Sequence, residues 1–121
     1  MHYMSVKPRY FNLLKEGEKT IELRLFDEKR QKIKMGDYIL FTNSDQRNEN
    51  FQGKVINLYW EKNFASLCKK IAPQQAGFQT KKDLLNALNE FYTKEDQEKF
   101  GVVGIEVNTK INDWLLYLKP A

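Results

Sequence analysis

A chain of 121 residues, 41% hydrophobic and 30% charged, carries enough apolar material for one domain with a single core, and too much for a disordered segment. One cysteine, Cys68, excludes an internal disulfide framework, and one histidine, His2, excludes a Cys/His metal cluster; with no calcium-loop or paired-histidine motif, no cofactor is expected. The net charge of +4 arises in the first third: residues 1–36 hold nine Lys/Arg against five Asp/Glu, whereas residues 37–121 hold eleven of each.

His2 to Val6 reads as a short opening strand. Pro8 suits the first position of a helix whose apolar face is Tyr10, Phe11, Leu13 and Leu14, and Gly17 fits the left-handed stop after it. An alternating strand follows from Lys19 to Leu25. Phe26 to Lys34 is a charged connection with Ile33 as its apolar anchor. Gly36-Asp37 turns the chain into the strand Tyr38–Thr42. A polar segment, Asn43 to Asn50, then leads to a long strand, Phe51–Trp60, with Gly53 as a bulge or close-approach point; the two strands are expected to pair antiparallel. Asn63 caps a helix from Phe64 to Ile71 with a stripe of Phe64, Leu67, Cys68 and Ile71, and Ala72 to Gln79 is a loop. Thr80 caps a further helix, buried through Leu84, Leu85, Leu88 and Phe91. Thr93 opens another, and Val102–Val107 is a buried strand in which Gly104 permits close packing. The tail fits two patterns: Trp114, Leu115 and Leu118 have helical spacing, Trp114, Leu116 and Leu118 strand spacing. The apolar runs are five residues or shorter, so no membrane span and no signal-peptide core is expected, and a cytoplasmic protein is the reading. Strands early and helices before the last strand argue for an α+β fold around a small, mixed or antiparallel β-barrel.

The stretch Gly17 to Arg24 is the most informative. Side chains alternate along a strand, so Thr20, Glu22 and Arg24 share one face and Ile21, Leu23 and Leu25 the other, with Lys19 at the entry. Successive residues of the polar row lie roughly 7 Å apart. Such a row is a binding cleft, a structural ion network or a catalytic set. In the last case Lys19 is a general base and Thr20, or a water held by Glu22, the nucleophile. Lys29, Arg30, Lys32 and Lys34 form a basic cluster, either a phosphate-directed surface or a solubilising loop. Tyr10, Phe26, Tyr38, Tyr59 and Trp60 are the aromatics near these charges. Adjacent strand residues face opposite ways, so one of Tyr59 and Trp60 is expected to be exposed for base stacking. Cys68, on an apolar stripe, reads as a buried inert thiol.

Taken in order, Gly17-x-Lys19-x-x-Glu22-x-Arg24, the basic connection, Ile33-x-x-Gly36-Asp37-x-Ile39-x-Phe41 and Gly101-Val102-Val103-Gly104-Ile105-Glu106 resemble the ASCH domain (activating signal cointegrator homology), a PUA-like family. The resemblance spans about residues 4 to 107. It implies a small barrel whose inserted helices cover one opening, with a cleft along the Gly17–Arg24 segment. A domain of residues 1–110 with a C-terminal extension, 111–121, packed on or beside it is the expected organisation. The resemblance further implies RNA or a nucleotide as partner; on the reading of the residues themselves Lys19, Glu22, Arg24, Lys29, Arg30, Lys32, Lys34, Tyr59 and Trp60 would bind it, with no membrane and a monomer expected. Some small bacterial members resemble an amidohydrolase that deacetylates 4-acetylcytidine, using a Lys, a Thr three residues later and a Glu in the helical insertion. Lys19 matches that Lys, Glu22 stands at the Thr position, Thr20 is the nearest hydroxyl, and Ala72 to Gln79 offers no carboxylate. Other members are ribonucleases, with no motif that transfers to particular residues here.

Overall fold

The computed structural model describes residues 1–110; the alternative readings of the tail, and its expected packing on the barrel, lie outside the described residues. The elements run β1 (His2–Val6), α1 (Pro8–Glu16), β2 (Ile21–Leu25), α2 (Glu28–Gln31), β3 (Tyr38–Asn43), β4 (Gln46–Glu61), α3 (Phe64–Leu67), a 3-10 helix (Pro73–Ala76), α4 (Lys81–Phe91), α5 (Lys94–Phe100) and β5 (Val102–Asn108). Local chemistry sets their ends. Pro8 occupies the start of α1, and Gly17 closes it at φ +79°, a conformation that costs a Cβ-bearing residue free energy. Asn63, Thr80 and Thr93 cap α3, α4 and α5 by accepting the backbone N–H of Ser66, Asp83 and Asp96 at 2.8, 3.1 and 3.0 Å.

The strands form one mixed sheet in the order β1-β3-β4-β5-β2, with β1 parallel to β3 and the remaining pairs antiparallel. β4 spans 16 residues, pairing with β3 up to Lys54 and with β5 from Lys54 onward, with a register shift between Val55 and Asn57 inside the β5 ladder. That bulge bends the strand, and the sheet curls into a half-barrel. Met4, Val6, Ile39, Phe41, Leu58 and Ile105 fill its inside, where Phe11 and Leu14 of α1 plug one end. On the other face of β2 and β5, Ile21, Leu23 and Val102 pack against Phe64, Leu67, Leu84 and Leu88 of the helical insertion.

Several boundaries differ from the sequence reading. β2 begins at Ile21: the Thr20 carbonyl still accepts from Val107 N–H of β5, but its own N–H leaves the sheet for the Gln75 carbonyl at 2.9 Å. The polar segment after β3 shrinks to a turn at Ser44-Asp45, since exposed residues such as Arg47 and Asn48 extend a hairpin without needing an apolar pattern. The charged connection contains α2, whose cap Asp27 accepts from Arg30 N–H. The helix expected from Phe64 to Ile71 stops at Leu67 with Cys68 in its cap, although the whole stripe is buried. The expected loop 72–79 holds the 3-10 helix. Gly53 is a close-approach point, its missing Cβ lying 3.1 Å from Phe41, while the bulges fall elsewhere. Edge strands β1 and β2 share no backbone ladder, which leaves a seam. Among the described residues no helix is long and apolar enough to cross a membrane.

Gly104 sits where a Cβ would come within 3.3 Å of Ile21 and Leu23. Gly104→Val is expected to lower stability by about 1–3 kcal/mol through overpacking, read as a lower urea midpoint at unchanged m-value.

Candidate ligand-binding site at the sheet seam

The inner face of β2 carries Glu22 and Arg24 toward the seam, opposite β1. Glu22 is 6% exposed and Lys19 5% exposed. One carboxylate oxygen of Glu22 takes the Lys19 ammonium at 2.8 Å, and the other takes the Arg24 guanidinium twice, from Nη2 at 2.7 Å and from Nε at 2.9 Å. Arg24 Nη2 also donates to the Ser5 carbonyl of β1 at 3.0 Å, bridging the two free edges with a side chain where backbone hydrogen bonds are lacking. Glu22 and Arg24 of the row legible in the sequence, joined by Lys19 from its entry rather than by Thr20, therefore form an ion triad that fastens the seam.

Burial by itself would push the Glu22 carboxyl upward. The Lys19 ammonium and the Arg24 guanidinium outweigh it and hold the group at about 2, down from its ordinary 4.5. Burial likewise works against the Arg24 charge, but the Glu22 carboxylate reverses this, and the guanidinium titrates higher than usual. The triad carries two positive charges and one negative.

A cavity of about 210 Å³ opens over the triad. Lys19, Glu22 and Arg24 form its polar floor, beside Ser5 and Lys7 of the β1–α1 edge. Its walls are aromatic and aliphatic: Tyr10 of α1, Phe78 after the 3-10 helix, and Leu84, Leu88, Phe91 and Tyr92 of α4 and its end. Lys19 Nζ lies 4.7 Å from the centre of the Tyr10 ring, and Lys7 Nζ 4.4 Å from that of Phe91. Burial raises the Tyr92 phenol, so this wall remains a neutral donor. The floor retains unused capacity. Lys19 has donors beyond its bond to Glu22, and Arg24 Nη1 makes no hydrogen bond among the described residues. The site thus offers hydrogen-bond donors and positive charge beneath an apolar slot.

The other sequence candidates fall at different distances from this cavity. Thr20 does not line it; its backbone fixes the entry to β2, with its carbonyl accepting from Val107 N–H. Arg30 is half-buried and paired with Asp27 at 2.9 Å, and its Nε is buried without a partner. Lys29 is exposed nearby: slight burial and the charges of Arg30 and Arg24 together lower its ammonium. Lys32 and Lys34 are exposed and stand away from the cavity lining. Tyr59 turns to the helix-covered face and donates its hydroxyl to Glu106 at 2.9 Å, so it does not reach the cavity. Trp60 is 54% exposed and packs edge-on against Phe26. Cys68 is buried, and burial raises its thiol. Among the wall residues, Tyr10 is recognisable in the sequence as an aromatic beside the charges. Phe91 belongs to the apolar stripe expected to be buried, yet it is 54% exposed because it lies in the last turn of α4, at the cavity rim. Lys7, Phe78 and Tyr92 carry no distinguishing local signal.

The depressed Glu22 carboxyl ties stability to acid pH. Its folded-state value lies below the unfolded one, so its contribution is complete above about pH 4.5 and is lost as pH falls toward about 2. Glu22→Gln is expected to cost on the order of 3 kcal/mol at pH 7, leaving the buried Lys19 and the half-buried Arg24 without their carboxylate. It is also expected to flatten the loss of stability between pH 4.5 and 2, as measured by urea unfolding across pH.

Comparison with known proteins agrees with the fold. The ASCH domain family model matches residues 4–111. The crystal structure of hypothetical protein PH0355 superposes with a TM-score of 0.78 at 32% identity, covering 89% of this chain and 98% of that one. The solution structure of PF0455 from Pyrococcus furiosus gives 0.69 at 25% identity, covering 92% and 98%. The ASCH protein from Zymomonas mobilis gives 0.62 at 11% identity, covering 88% of this chain and 65% of that longer one, a likeness of fold alone. No match is found among curated proteins. With its half-barrel, its helical insertion and a family match over nearly its whole length, this chain belongs to the ASCH domain family.

Proposed function

We propose that the protein is a nucleotide- or RNA-binding module that takes one nucleobase into the cavity at the seam. The observation that carries this reading is a buried ion triad of net positive charge flooring a slot walled by aromatic rings. Aromatic walls stack on the faces of a planar heterocycle, and Lys19 and Arg24 donate to the acceptors on its edge or to an attached phosphate. At about 210 Å³ the cavity is smaller than the roughly 300–1,000 Å³ of drug-sized sites, which suits a single base or nucleoside. An unstacked base is the form that enters such a slot, so single-stranded RNA or a free nucleotide is the ligand class. ASCH domains are associated with RNA binding, which agrees with this.

Binding is a better use of these residues than hydrolysis. A general base needs a free lone pair, whereas the Lys19 nitrogen is drawn to Glu22 at 2.8 Å and Thr20 is not in the cavity lining. Deacetylation of an acetylated cytidine is the alternative reading, and ribonuclease action a further one. Incubation with 4-acetylcytidine followed by chromatography decides the former: the binding reading expects no turnover by wild type, and turnover abolished by Lys19→Ala overturns it.

Filling the slot tests the binding reading without touching a charge. Ala87 lines the cavity from α4. Ala87→Phe is expected to weaken 5′-mononucleotide binding at least tenfold in calorimetry while the circular dichroism spectrum is kept; unchanged affinity contradicts the assignment. The exposed Lys32 and Lys34 supply attraction to RNA without reading sequence. Their joint reversal to Glu is expected to weaken all single-stranded RNAs alike and to flatten the salt dependence by about 0.7 for each phosphate no longer neutralised.

A further inference from the structure

We infer that the ligand is a strand of at least two nucleotides, with one base in the cavity and its neighbour stacked on Trp60, the intervening phosphate passing over Arg24 and Arg30. This rests on the cavity being a base-binding site, and it extends that site across the mouth of the half-barrel.

The sheet register brings the two positions together. Val103 of β5 pairs with Arg24 of β2 on one side and with Trp60 of β4 on the other. Directly paired residues share a face, so Arg24, Val103 and Trp60 form one row on the inner face of the sheet. Adjacent strands lie 4.7–4.9 Å apart, which sets Trp60 roughly 10 Å from the Arg24 backbone. Two residues earlier on the same face, Leu58 is buried in the barrel core, whereas Trp60 is 54% exposed. The barrel interior therefore ends between them, and the indole stands at its mouth.

Trp60 is held but not covered. The Phe26 ring meets it edge-to-face, with centroids 6.3 Å apart and planes at 69°. Phe26 is anchored in turn by its N–H bond to the Gly101 carbonyl and by packing on the inner core. A large aromatic kept in place and half open to solvent, in the same row of the sheet as a basic side chain, is the arrangement on which single-stranded bases stack.

The charge gathered around Arg24 fits a phosphate. Arg24 keeps its Nη1 donors, and Arg30 has a buried Nε with no partner although its Nη1 is engaged by Asp27. Lys29 adds a third cation; burial, Arg30 and Arg24 all disfavour its charge, which marks positive charge packed more densely than Asp27 alone offsets. Both arginines also act on Tyr92, the wall residue on this side of the cavity. An anion between them would relieve that repulsion, and the phosphate of a strand leaving the cavity toward Trp60 supplies one.

The test compares 5′-mononucleotides with the ribodinucleoside monophosphates ApA, CpC, GpG and UpU. A Trp114→Phe background makes Trp60 the sole indole. The best dinucleotide is expected to bind roughly 5- to 150-fold more tightly than its mononucleotide, the gain of one stacked base, and to quench Trp60 fluorescence on binding. Trp60→Ala is expected to abolish that gain while leaving mononucleotide affinity unchanged, and Trp60→Phe to restore part of it. Equal affinity of mono- and dinucleotides, or a gain that survives Trp60→Ala, overturns this inference and leaves the cavity assignment standing. Failure of every mono- and dinucleotide to bind overturns both.

Discussion

A single buried carboxylate, Glu22, organises the seam of this fold. Glu22 separates two cations that would otherwise repel one another inside the protein, and it is fully committed to them through both oxygens. Its desolvation is offset by attraction to Lys19 and Arg24, and Arg24 gives a further donor to the Ser5 carbonyl of the opposite edge strand. A sheet that curls without closing leaves two edges with unpaired backbone groups, a liability in most proteins. Here the edges are tied by a side-chain bridge, and the gap they leave becomes the mouth of a cavity.

Stability alone gives little reason for such a triad. Buried ion pairs are often no better than apolar residues of equal volume, because the desolvation of each ion cancels much of the attraction. What the ions contribute here that an apolar trio would not is a charged, donor-rich floor beneath an aromatic slot. The two cations cannot both be neutralised by one carboxylate, so the floor keeps a net positive charge in a region of low dielectric, where charge acts strongly. The same commitment to Glu22 explains why recognition suits Lys19 better than proton transfer does.

Much of the frame is legible in the sequence because local chemistry enforces it. Gly17 ends α1, the Asn63, Thr80 and Thr93 caps fix the starts of three helices, and period-two alternation puts Glu22 and Arg24 on one face. Alternation does not say whether that face is wet or buried, and this is why the triad's burial is not legible. The parallel pairing of β1 with β3 depends on residues far apart in the chain and leaves no local mark. Tyr59 and Trp60 show the limit most clearly. Their opposite orientation follows from the pleat, but which of them meets the helices depends on the bulge after Val55, which sets the phase of the rest of β4. Phe91 departs from its expected burial for a related reason: its place on the apolar stripe of α4 is real, but the stripe runs past the sheet to the rim of the cavity.

The central claim, that the triad floors a nucleotide site, is tested most directly by nuclear magnetic resonance. A 5′-mononucleotide is titrated into labelled protein while the Arg24 Nε–H signal and the backbone amides are followed. The account predicts saturable shifts at Arg24 Nε–H, at Lys19 to Arg24 and along the cavity-facing side of α4 to Tyr92. Shifts confined to the exposed Lys32 and Lys34 region, with the Arg24 Nε–H signal unmoved at saturation, would contradict it.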